Sequence, residues 1–69
     1  MTLRELRNQS KKTAAEVAAA LGVTYNAVSQ YENGLRRISF ESVLTLAKLY
    51  DVSAEEIIQA QLKTEKERE

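Results

Sequence analysis

The sequence predicts an all-α domain of five short helices, and three observations carry that expectation. Three capping boxes place a hydroxyl residue three places before a glutamate at a helix start, apolar residues recur at helical spacing, and two apolar runs flank a single glycine with no proline anywhere in the 69 residues. Without proline nothing kinks a helix, so helix starts are read from caps.

The elements follow in order. Thr2-Leu3-Arg4-Glu5 forms a capping box and opens a helix over residues 3–9, with Leu3 and Leu6 facing inward. Thr13-Ala14-Ala15-Glu16 repeats the device for residues 14–20, where Val17, Ala18 and Leu21 form the inward face and the alanines let two backbones approach. Thr24 is the N-cap of a third helix over 25–32, and Ser39 that of a fourth over 40–50, along which Phe40, Val43, Leu44, Ala47 and Tyr50 keep helical spacing. Val52 closes the next turn. Ser53-Ala54-Glu55-Glu56 then opens a fifth helix over 54–62 with Ile57, Ile58 and Leu62 in phase, and the stretch 63–69 is expected to fray.

Composition narrows the function. A chain of this size buries only roughly 60% of the surface it exposes when unfolded, which leaves room for one small core. The lack of cysteine and histidine removes disulfides, thiolate metal sites and the commonest general base, so neither an enzyme nor a cofactor is expected. No apolar run reaches the roughly 20 residues of a membrane span, and the start lacks a signal-peptide layout, so a cytoplasmic protein without membrane contact is expected. Formal net charge is zero, yet its distribution is uneven: residues 1–39 carry a balance of +3 and residues 40–69 a balance of −3. One end can face phosphate while the other faces water.

The spacing Ala18-x3-Gly22-x5-Val28-x2-Tyr31 describes two helices locked around a glycine turn, which is a helix-turn-helix over residues 14–33. Gly22 takes the backbone conformation a side chain would oppose, and Val28 and Tyr31 return to the core of the preceding helix. At about 100° per residue the third helix places Tyr25, Asn26, Ser29, Gln30 and Asn33 on one arc and Ala27, Val28, Tyr31 and Glu32 on the other. The outward arc of amides, a hydroxyl and a phenol suits base edges in the major groove of duplex DNA. A solvated face more often carries Lys and Glu, and for Tyr25 the alternative is packing over the preceding turn. Asn33, Arg36 and Arg37 continue into a loop whose donors can hold phosphate, or which is simply solvated, with Gly34 as a left-handed cap. Glu32, at the edge of the buried arc, needs a partner, and Arg7 is the candidate for a two-pronged ion pair tying the first helix to the third. Leu49, Ile58 and Leu62 exceed what one small core needs, so they either form a homodimer interface or cover the back of helices four and five.

Leu3-x2-Leu6-Arg7, Thr13-x2-Glu16-Val17-Ala18, Leu21-Gly22-Val23-Thr24, Val28-x2-Tyr31-Glu32-Asn33-Gly34 and Leu46-Ala47-x2-Tyr50-Asp51-Val52-Ser53 together resemble the Cro/lambda-repressor, or XRE, family. The resemblance implies a lambda-repressor-like five-helix domain over residues 3–58, followed by the end of helix five and a charged tail over 59–69. It implies an operator-binding transcriptional regulator, a repressor acting as a homodimer on a palindromic site, with no small-molecule effector evident. By position, Tyr25, Asn26 and Gln30 match base-contacting sites, Thr24 and Ser29 flanking contacts, Asn33 and Arg37 a phosphate-contacting loop, and Arg7 with Glu32 a salt bridge typical of the family. Relatives often carry glutamine at the place of Ala14, where it anchors a phosphate. Here the anchor falls to the amides at the start of helix two, behind Thr13, with Lys11 and Lys12 beside them. Lys12 stands where relatives have an apolar residue, and Ile38 where they often have proline. An antitoxin-like protein-interaction module using the same fold is the alternative.

Overall fold

The computed structural model describes residues 1–67 and contains five α-helices: α1 (Leu3–Gln9), α2 (Ala14–Leu21), α3 (Tyr25–Glu32), α4 (Phe40–Leu49) and α5 (Ala54–Glu67). Each begins where a hydroxyl side chain is available. Thr2 and Thr13 complete reciprocal boxes with Glu5 and Glu16. Thr24, Ser39 and Ser53 each accept one N–H, from Ala27, Ser42 and Glu56 respectively.

Four helix ends close in the same way. An amide just past the helix donates back to a carbonyl five positions earlier: Lys12 to Arg7, Val23 to Ala18, Leu35 to Gln30 and Val52 to Ala47. The residue just before each donor takes positive φ, at Lys11 (58°), Gly22 (69°), Gly34 (73°) and Asp51 (55°). A Cβ on Gly22 would meet nothing within 4 Å, so the backbone conformation, not crowding, favours glycine there.

α5 is the hub: Ile57 is fully buried, and the helix packs against α1, α3 and α4, while α2 packs on α3 and α4. Leu3, Leu6, Val17, Ala18, Val28, Tyr31, Val43, Leu46 and Tyr50 complete the core with Ala27, Ile38 and Ala60. Among the described residues no helix is long and apolar enough to cross a membrane.

Three sequence expectations need correction. Phe40 and Leu44, expected inward on α4, are 74% and 44% exposed. The stripe of α4 is centred on Val43, Leu46 and Tyr50, and Ile38 from the preceding loop occupies the core beside its first turn. Ile58 and Leu62 are likewise exposed, flanking the buried line of Ile57, Ala60 and Thr64 on α5. The last correction is the length of α5, which runs to Glu67 instead of fraying from residue 63; Arg68 and Glu69 lie outside the described residues. Its last turns are tied to the rest of the domain. Thr64, 3% exposed, donates its hydroxyl to the Ala60 carbonyl at 2.8 Å and accepts the Leu3 N–H at 3.0 Å. That bond satisfies a first-turn amide of α1 that no intrahelical carbonyl can reach. Gln61 Oε1 accepts the Ile38 N–H, and Glu65 pairs with Arg37, so α5 also holds the segment before α4.

Candidate nucleic-acid interface

The two faces of α3 differ in burial as the helical phase requires. Ala27, Val28 and Tyr31 are buried, whereas Tyr25 is 61% exposed, Asn26 and Gln30 are exposed, and Ser29 is half-buried. Tyr25 therefore keeps most of its surface in solvent. Thr24 is exposed, but its hydroxyl oxygen already accepts the Ala27 N–H at 3.1 Å. Its hydrogen remains available to an outside acceptor.

Behind this face lies a polar scaffold. Arg7 Nε donates to Glu32 Oε2 at 2.6 Å and Nη2 to Glu32 Oε1 at 3.1 Å, while Nη1 donates to the Lys12 carbonyl at 3.1 Å. The Glu32 carboxylate is 6% exposed, and it is chiefly the hydrogen bond to Glu32 that raises the Arg7 pKa above its ordinary value, against the opposing effect of burial. The guanidinium thus joins α1, the turn before α2 and the end of α3. Burial, reinforced by the charge of Glu32, pushes the Tyr50 phenol up to about 12.

The residues expected at phosphate are unevenly placed. Lys11 and Thr13 are exposed and Lys12 half-buried at the entry to α2, where Thr13 caps the first turn. Arg36 lies over the Tyr31 ring, 5.8 Å from its centroid, a cation–π arrangement that leaves the guanidinium near the end of α3. Arg37 is already paired: Nε and Nη2 donate to the two Glu65 oxygens at 3.0 and 3.2 Å. Asn33 caps α3, donates from Nδ2 to Ser29 Oγ at 3.3 Å, and accepts from Arg4 Nη2 at 3.0 Å.

Arg4 and Glu65 are the residues sequence reasoning missed. Arg4 had a usable signal, since it stands three residues before Arg7 and so shares its side of α1. Glu65 had none, being 28 positions from its partner. Of the residues expected at a dimer interface, Ile58 and Leu62 are exposed, but Leu49 is half-buried and packs against the core.

A family model described as helix-turn-helix matches residues 3–57. The chain is also 34% identical over 56 residues to the HTH-type transcriptional regulator AnsR of Bacillus subtilis (strain 168), a match covering 81% of this chain and 48% of that protein. The chain therefore spans about half the length of this curated relative. No solved structure matches it.

Proposed function

We propose, from the premise that the chain belongs to the XRE-type helix-turn-helix family, that it is a transcriptional repressor binding a palindromic operator as a homodimer. The family and the similar regulator mark a DNA-binding regulator, not an enzyme. The observation that carries the finer reading is the sorting of α3. Its apolar side chains and Glu32 lie inward, and Tyr25, Asn26 and Gln30 project outward from a helix fixed from behind by Arg7. In this reading Asn26 and Gln30 pair with base edges, Tyr25 meets a thymine methyl or a sugar, and Thr24 and Ser29 supply flanking donors. Lys11, Lys12, Thr13, Asn33, Arg36 and Arg37 face the phosphates on either side.

The dimer face in this reading includes Ile58 and Leu62, joined by Phe40 and Leu44. Ile58, Gln61, Leu62 and Glu65 form one stripe on α5, and Gln61 and Glu65 hold residues 37 and 38 just before α4. That stripe therefore borders the exposed start of α4. Four exposed apolar side chains along the α4–α5 seam suit an isologous contact, and half-sites would lie about 34 Å apart.

Selection from a random duplex pool tests the reading, followed by Asn26→Ala and Gln30→Ala on the enriched site. Each substitution is expected to cost about 1–3 kcal/mol on that site and little on random DNA. Equal losses on both would remove base readout, and no enriched motif would remove the operator. Sedimentation at tens of micromolar checks the dimer: a lone monomer that binds DNA one per site would refute it.

A further inference from the structure

Arg4 sits on the first turn of α1, outside the helix-turn-helix of residues 14–33, with 51% of its side chain exposed. It bridges two residues at the end of α3. Nη2 donates to Asn33 Oδ1 at 3.0 Å, and Nε approaches Glu32 Oε1 at 3.4 Å. A guanidinium has donors only, so the Asn33 atom facing it must be the carbonyl oxygen, and the amide nitrogen is turned towards Ser29. Ser29 Oγ therefore accepts from Asn33 Nδ2 at 3.3 Å, and its own hydrogen points elsewhere.

The chain Arg4 to Asn33 to Ser29 has a chemical consequence. Asn33 commits its oxygen to Arg4 and one N–H to Ser29, keeping one N–H. Ser29 commits a lone pair and keeps its O–H. What Asn33 and Ser29 then offer outward is a pair of donors, an amide N–H and a hydroxyl. An adenine edge needs a donor and an acceptor side by side, whereas a phosphate oxygen accepts donors alone. Charge points the same way. Arg7 makes two hydrogen bonds to Glu32 and offsets its charge, which leaves the Arg4 charge in excess at the carbonyl end of α3, where the helix dipole favours a cation.

We propose that Arg4 is a positioning residue that fixes Asn33 and Ser29 as donors to one DNA phosphate. The proposal rests on the DNA-binding reading above. Without Arg4 the Asn33 amide can rotate and present its oxygen, which a phosphate repels.

The test has one arm free of DNA and one with it. By NMR on the full chain, the Asn33 side-chain amide protons are expected to exchange with solvent faster in Arg4→Met and in Ser29→Ala than in the parent. Unchanged exchange in Arg4→Met would overturn the relay. Ser29→Ala sets the scale of the change, because it removes the Nδ2 acceptor itself and leaves Arg4 in place. In the second arm, anisotropy with a random duplex compares Arg4→Met, Asn33→Ala and the double variant. Each single change is expected to weaken binding about tenfold, the worth of one hydrogen bond to an ionised oxygen, and the double no more than the worse single. Multiplied losses would show Arg4 acting on DNA by itself, and unchanged binding in Arg4→Met would also refute the proposal. If the parent chain shows no salt-dependent binding, the DNA reading fails, and the NMR arm still reports whether Arg4 sets the amide.

Discussion

Replacing Thr64 by valine removes one oxygen from the point where the last helix meets the first. The hydroxyl accepts the Leu3 N–H at 3.0 Å and donates to the Ala60 carbonyl at 2.8 Å in a side chain 3% exposed. Ala60 keeps its place in the helical ladder, so its loss is small. Leu3, however, is left with a buried amide and no acceptor, a penalty of about 1–3 kcal/mol. For a domain of this size each kcal/mol lowers the melting point by about 4–8 °C, so a fall on the order of 10 °C is expected for Thr64→Val by calorimetry. Thr64→Ser keeps both hydrogen bonds and loses one methyl, about 0.8 kcal/mol of burial. Amide hydrogen exchange separates the two causes: the Leu3 N–H is expected to stay protected in Thr64→Ser and to lose protection in Thr64→Val. If Thr64→Val melts with the parent and the Leu3 amide exchanges at the parent rate, that amide has another acceptor, and the Thr64 bond contributes nothing to the docking of α5 onto α1.

Three further outcomes are expected. Arg7→Met should cost about 3 kcal/mol in urea denaturation because it leaves the buried Glu32 carboxylate only the longer 3.4 Å contact with Arg4, while Arg7→Met with Glu32→Leu should recover most of that; equal losses would mean that Arg4 or solvent compensates the charge. Glu65→Gln breaks a pair whose arginine is 71% exposed, so stability should move by about 1 kcal/mol or less. Freed Arg37 should instead tighten binding to all DNA sequences and steepen the salt dependence by about one ion, and an unchanged slope would refute a phosphate role for Arg37.

The third outcome concerns pH. Glu5 and Glu16 are held below the usual carboxylate value of 4.5, chiefly because each accepts the backbone N–H of its capping threonine. Their contribution is complete above that value and is lost as pH falls through the lowered ones, so Glu5→Gln with Glu16→Gln should flatten the acid limb of a stability profile. Tyr50 has the opposite sign. Its pKa, raised from 10.0 to about 12, makes stability fall as pH rises between those values, and its phenolate absorbance should appear near the upper one.

What the sequence determined by itself is the part of the protein set by neighbours within about two helical turns. The hydroxyl caps at Thr2, Thr13, Thr24, Ser39 and Ser53 fix five helix starts through bonds three residues long. The left-handed turns at Gly22 and Gly34 are local too, because positive φ favours glycine wherever it occurs. Helical phase then separates the inward from the outward residues of α3 and leaves Glu32 needing a partner, so even the 25-residue step to Arg7 was legible. Tertiary structure decided the rest. Nothing within a few residues of Thr64 or Glu65 encodes their partners at Leu3 and Arg37, which lie 61 and 28 positions away. Those bonds exist because α5 packs across α1 and the end of α3. The same packing decided that Ile38 is buried while Phe40 and Leu44 are exposed, a choice among apolar residues that periodicity alone does not make.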